Sequence, residues 1–143
     1  EEVNFSEYVK SLVEDISRSN GVDQERIKIM VVADDLFLDI DSAVSSGLIV
    51  NEIVSNSFKH AFPVDMPGEI LIKIDALDNS EDQGFLMKIS DNGVGLPENL
   101  DVETADTLGL QLVRTLVGQM DGELKVDNCN GDKGTEFIVK LNS

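Results

Sequence analysis

Glu52, Asn56 and Lys59 stand at i, i+4 and i+7 in a stretch from Ser42 to about Ala61 that has no Pro and one Gly. That spacing puts all three on one stripe of a helix. His60, the only histidine, lies beside the end of the stripe. The rest of the stretch is apolar at Val44, Leu48, Ile49, Val50, Ile53, Val54 and Phe58. A helix this apolar is expected to be mostly buried, so its polar groups need partners. Two readings are open. One is a solvated face, or a Glu52–Lys59 pair two turns apart. The other is the polar wall of a pocket. There, an Asn56 oxygen suits a hard cation such as Mg²⁺, which keeps several waters and borrows phosphate oxygens. Lys59 would meet a phosphate as a point charge, and Glu52 would take a proton from a nucleophile.

Three further segments offer chemistry, each weak on its own. Asp91-Asn92-Gly93-Val94-Gly95-Leu96-Pro97 follows an expected strand. Its glycines let the backbone turn tightly and approach a ligand, and Asp91 can accept hydrogen bonds from an amine. A plain turn has the same composition. Thr107-Leu108-Gly109-Leu110 opens an expected helix, whose free N–H groups and dipole make a ready anion site; Gly109 there would otherwise serve close packing. Gly134-Thr135 begins the last expected strand. Other chemistries fail on inventory. One His and one Cys cannot build a Cys/His zinc site. No Walker loop, calcium loop or Gly-x-Ser-x-Gly elbow occurs.

The elements that must hold these residues can be read from periodicity. Phe5, Val9, Leu12, Val13 and Ile16 predict a helix over about 4–19, capped by Asn4 or Ser6 and stopped at Asn20-Gly21. Residues 27–32 read as a strand, Asp34-Asp35 as a turn and 36–40 as the returning strand of a hairpin. Pro63, Pro67 and Gly68 end the helix that starts near Ser42. Strands are expected over 69–76 and 85–89, with a loop over 91–107 and a helix over 108–120. A hairpin around Asn130-Gly131 then joins 122–126 to 135–141. This order predicts a two-layer α/β sandwich on a mixed sheet, in one domain. Its 143 residues suffice for a real core. With 28 acidic against 11 basic residues the net charge is −17, which disfavours binding to nucleic acid or anionic membranes. A single cysteine, Cys129, allows no internal disulfide. No apolar run is long enough to span a membrane and no signal-peptide pattern occurs. The sequence does not begin with Met, and a piece of something longer is expected.

Taken in order, LIVNEIVSNSFKHAFP resembles the N box of the GHKL ATPases, the superfamily of gyrase and histidine kinases. DNGVGLP resembles the first glycine box, TLGLQLV the second and GTEF the final Gly-Thr segment. The resemblance spans about 27–141. Its particular forms resemble sensor histidine kinases of the HisKA_2/HWE type. It implies the Bergerat ATP-binding fold, an α/β sandwich with helices on one face of a mixed sheet. Residues 1–26 would be a lead-in helix and connection, and 27–141 the core. It further implies that ATP and Mg²⁺ bind here. Asn56 would coordinate the metal, Glu52 would polarise the attacking group and Lys59 would contact phosphate. His60 would pack near ribose or adenine. Asp91 would accept from the adenine amine, supported by Thr135. Gly93 and Gly95 would line the adenine pocket and hinge a lid, and Gly109 and Leu110 belong to the box whose backbone meets the phosphates.

The function implied is transfer of the γ-phosphoryl group to a histidine on a separate dimerisation domain, with a response regulator downstream. The alternatives are an anti-sigma-type serine kinase, a GHKL ATPase activating water, or a nucleotide-sensing module without catalysis. His60 lies inside the N box, so the acceptor histidine and the dimer contacts are expected outside this sequence. The expected lid, 96–108, holds Glu98, Asp101, Glu103 and Asp106 but no Lys or Arg. Weak ATP affinity and a mobile lid follow as expectations. A cytoplasmic domain without direct membrane contact is expected.

Overall fold

Period-two alternation at Ile70, Ile72 and Ile74 requires a strand with one buried face, and all three are essentially fully buried. They lie on β4 (Gly68–Ala76), inside a five-stranded sheet of order β2-β4-β5-β7-β6. The other strands are β2 (Ile27–Ala33), β5 (Gly84–Asp91), β6 (Glu123–Asp127) and β7 (Thr135–Asn142). The structure is a computed structural model describing residues 2–23, 25–62, 66–77, 84–94, 108–127 and 134–142. β2 and β4 are parallel, and every other pair in the sheet is antiparallel. The sheet is therefore mixed, with the helices on one face.

The expected hairpin between residues 27–32 and 36–40 does not form. β3 is only Phe37–Asp39 and pairs with a short N-terminal strand, β1 (Glu2–Asn4), in a separate two-stranded ladder. β2 lies beside β4 instead, with Ile29 opposite Ile70 and Val31 opposite Ile72. Alternation reports which face of a strand is buried but not which strand it pairs with. The parallel β2–β4 pair needs a crossover, and the helix between the two strands supplies it.

That helix, α2 (Ile40–Asn56), begins at Asp39, whose carboxylate accepts from the Ser42 amide at 2.8 Å. This hydrogen bond is the main cause that lowers the Asp39 pKa. α1 (Phe5–Ser19) begins at Asn4, whose side chain accepts from the Glu7 amide. It ends at Gly21, where φ is +62° and the Val22 amide bonds back to Ser17. α1 crosses α2 at Gly47, because a Cβ there would stand 2.7 Å from the Tyr8 ring. α3 (Leu108–Gln119) packs on the other side of α2, where the Ser46 hydroxyl reaches the Met120 sulfur. α2 is thus the central helix. Ile49, Val50, Ile53 and Val54 on it are fully buried over Met87, Ile89, Val139 and Leu141 of the sheet. Burying each such side chain contributes about 1.5–3 kcal/mol. The Asn130-Gly131 turn lies outside the described residues, though the β6–β7 pair it was expected to join is present.

Candidate functional site

The helix expected over 42–61 changes character at its functional end. α2 closes at Asn56, and Ser57–Ala61 continue it as a π-helical turn. The wider i→i+5 turn inserts a residue into the register, and such turns occur often at functional sites. One consequence is that the polar stripe divides. Glu52 and Asn56 are half-buried, whereas Lys59 and His60 are exposed. Among the described residues no ion pair joins Glu52 to Lys59, so that pairing does not occur, while the Lys59–His60 end of the stripe is solvated.

Asp91, at the end of β5, is the polar centre on the sheet side. Its Oδ2 accepts from the Ser57 hydroxyl at 3.0 Å and its Oδ1 from the Gly93 amide at 3.0 Å. Burial raises the Asp91 pKa above the ordinary carboxylate value; the Gly93 amide, the Ser57 hydroxyl and the Thr135 backbone pull it back. Thr135 is Asp91's register partner across β5 and β7 and is itself buried. Gly134, at φ +130°, passes so close that a Cβ would meet the Asp91 carbonyl oxygen at 2.2 Å. The final Gly-Thr segment therefore abuts the backbone of the aspartate that the sequence singled out.

Gly93 joins that carboxylate to the π turn. A Cβ at Gly93 would fall 2.2 Å from the Ala61 carbonyl oxygen, and the same carbonyl accepts from the Val94 amide at 2.8 Å. Glycine is required here by close backbone approach. Asn92 fastens the loop on its other side, its side chain accepting from the Glu69 amide at 2.7 Å.

Gly109, in the first turn of α3, closes the third side. A Cβ at Gly109 would stand 2.8 Å from Glu52 Oε2 and 3.5–3.7 Å from the Asn56 amide group. A carboxylate, an amide and a helix N-terminus thus meet at one point. Leu110, by contrast, is buried in the core, so of that pair only Gly109 faces the polar groups. Gly95 and the expected lid residues before Leu108 lie outside the described residues, so neither enters this geometry.

Sequence reasoning missed Ser57, which holds Asp91 from the helix side. The available signal was a small hydroxyl residue placed directly after Asn56 in an apolar helix. It also missed the π turn, for which no residue pattern gave notice. Elsewhere, a groove of about 770 Å³ runs between α1 and the free edge of β2, lined among others by Lys10, Glu14, Lys28 and Met30. None of the candidate site residues lines it.

Among the described residues no group of three or more His, Cys, Asp or Glu could hold a metal. The Glu52–Asn56–Gly109 cradle still fits a hard cation of the Mg²⁺ kind. Such an ion takes one or two protein oxygens and completes its shell with water and phosphate.

This sandwich, with a polar cradle where the central helix meets the start of α3, is an α/β domain similar to the ATPase domains of histidine kinases. Residues 43–143 match the histidine kinase-, DNA gyrase B-, and HSP90-like ATPase family, and the chain belongs to that family. The domain accordingly binds ATP. The chain is 32% identical over 143 residues to the sensor histidine kinase PdtaS of Mycobacterium tuberculosis, covering 99% of this chain and 27% of that protein. It is 30% identical over 115 residues to blue-light-activated histidine kinase 2 of Erythrobacter litoralis, covering 80% of this chain and 31% of the relative. The solved Erythrobacter litoralis EL346 blue-light activated histidine kinase superposes with a TM-score of 0.87 at 26% identity, over 98% of this chain and 42% of that one. The chain thus spans under a third of the curated relatives named, and it is homologous to their kinase ATPase portion. Among the described residues no helix is long and apolar enough to cross a membrane.

Proposed function

We propose that this chain is the catalytic domain of a two-component sensor histidine kinase, passing the ATP γ-phosphoryl group to a histidine on a helical dimerisation domain. A response regulator would then receive the group, and the reaction would take place in the cytoplasm. Residues 27–141 form the catalytic core, with 1–26 leading into it.

The observation that carries this reading is the placing of two unlike polar centres on either side of the π turn. Asp91 lies on the sheet side, with one hydroxyl and backbone amides around it. Partial desolvation strengthens any hydrogen bond it makes to an amine, which suits the exocyclic amine of adenine. Thr135 backs it, and Gly93 lets the chain pass close to the base. Glu52 and Asn56 lie at the mouth of α3, where a helix N-terminus favours phosphate oxygens. Mg²⁺ bound through the Asn56 oxygen would neutralise phosphate charge there. Lys59, Gly109 and the Leu110 backbone serve the same anionic group, and exposed His60 lies beside the ribose. Glu52 accepts the hydrogen bond of the attacking imidazole and orients it. Transfer of this kind requires positioning and charge stabilisation more than covalent help from the protein.

Two measurements test the reading together. Calorimetric ATP binding is expected to strengthen when Mg²⁺ is added, and the Asn56→Ala variant is expected to lose that increment. Glu52→Gln is expected to keep ATP affinity while slowing phosphohistidine formation by about 10²–10⁴-fold. Phosphate appearing on serine, or released to water, would favour the anti-sigma-type kinase or the ATPase instead. Binding without any transfer to a competent acceptor would leave a nucleotide sensor.

A further inference from the structure

The two edges of the five-stranded sheet are finished differently. β6 exposes Glu123, Lys125 and Asp127, a run of charges of the kind that keeps an edge from pairing with another chain. β2 exposes Met30 (63%) and Val32 (48%), with Lys28 as its only charge. Leu71 (39%), the register partner of Met30 on β4, widens the apolar strip.

The ladder decides which backbone groups of β2 are left over. The Arg26 carbonyl accepts from the Gly68 amide, and the Asp34 amide donates to the Ile74 carbonyl. The even-numbered residues of β2 therefore face β4, and the alternate ones face away. Ile29, Val31 and Ala33 thus hold their N–H and C=O groups toward the outer edge, where no strand pairs with them among the described residues. Ile29 and Val31 also line the groove of about 770 Å³ beside α1. Outward backbone groups along an apolar groove accept an extended strand.

Register indicates which strand. When β2 is set antiparallel to β2 of a second copy about Val31, outward groups oppose outward groups at three places. Ile29 meets Ala33, Val31 meets Val31, and Ala33 meets Ile29, which closes roughly six hydrogen bonds. Met30 then lies opposite Val32, and Lys28 opposite Asp34, in the pairs whose side chains approach most closely. Lys28 and Asp34 are both exposed. Each exposed apolar side chain is covered by another, and each charge meets its opposite. Moving the two-fold to Met30 sets Lys28 against Val32 and requires the Ile27 amide, which already donates to the Asp23 carbonyl. The −17 charge of each copy opposes approach, but at physiological ionic strength that repulsion is screened beyond about 8 Å.

We infer that β2 is a self-association edge: two copies of this chain pair β2 with β2 about Val31 and join their sheets into one. None of the candidate site residues lines the groove, so the nucleotide sites of both copies stay open.

Sedimentation equilibrium of this chain at physiological ionic strength, from micromolar to millimolar concentration, is expected to show a monomer–dimer equilibrium. Val31→Pro removes an outward donor and no bond to β4. It should weaken the dimer by roughly tenfold or more, while ATP affinity stays within twofold. Met30→Lys with Val32→Lys, at side chains the fold leaves exposed, should do the same. Lys28→Asp sets aspartate against Asp34, and Asp34→Lys sets lysine against Lys28. Each alone should weaken association, and an equal mixture of the two variants should recover it as a heterodimer. A chain that stays monomeric throughout overturns the inference and leaves the edge to a strand of another protein. So does a dimer that either Val31→Pro or the lysine pair leaves intact, which places the contact elsewhere. A mixture that fails to reassociate rejects the register, and the self-pairing with it.

Discussion

Asp91→Asn separates what the carboxylate does for the nucleotide from what it does for the fold. The substitution keeps the shape and one acceptor oxygen, which the Gly93 amide can still use. It removes the negative charge that would meet the adenine amine. A hydrogen bond to a charged group contributes about 1.5–3 kcal/mol, so ATP affinity should fall by about 10- to 150-fold. Stability should respond the other way. Burial raises the folded-state pKa of Asp91 above its ordinary value of 3.8. In the window between 3.8 and that raised value, the folded chain holds a proton that the unfolded chain has released. The Asp91 contribution to wild-type stability therefore falls as pH rises through the window, and the cost persists at neutral pH. Asn has no such titration. The variant should thus match or exceed wild-type stability at pH 7, and its relative advantage should vanish on acidification below 3.8. Calorimetric titration with MgATP and denaturant unfolding across pH measure the two effects. Unchanged ATP affinity, or a variant whose stability deficit at pH 7 disappears in acid, would refute the argument.

Two further substitutions probe the groups around the site. Ser57→Ala removes the hydroxyl that donates to Asp91 Oδ2. It should cost about 1.5–3 kcal/mol of stability at neutral pH, and denaturant unfolding should show that loss shrinking in acid as Asp91 becomes protonated. Gly109→Ala places a methyl group 2.8 Å from Glu52 Oε2. The carboxylate sits at the end of a flexible side chain, so it can swing aside. A helical Gly→Ala change itself favours folding by up to about 1 kcal/mol, so the melting temperature should hold. Phosphoryl transfer should nevertheless drop by about 10²-fold, the cost of an ångström-scale misplacement of a reacting group, as a single-turnover assay would show.

The sequence by itself determined which residues are polar where a core helix should be apolar. Glu52 and Asn56 stand out against Ile49, Val50, Ile53 and Val54, because helical period and hydropathy are local properties. It also determined the alternation of β4, narrowed the cap of α1 to Asn4 or Ser6 and set its stop at Asn20-Gly21, each a matter of a few neighbouring residues. Tertiary structure alone decided the strand partners. Residues 37–39 look like the return of a hairpin, yet they pair with β1, and β2 goes to β4 across a helix. Pairing depends on which faces can be buried together, and no single segment carries that information. The π turn was likewise a tertiary matter, since Ser57 and Ala61 meet their partners at the end of β5 and just after it, more than thirty residues away. Only the fold could show that Gly93, Gly109 and Gly134 are each pressed against another box of the site. Glycine in a sequence marks a possible close approach, but what is approached depends on the packing of distant parts of the chain.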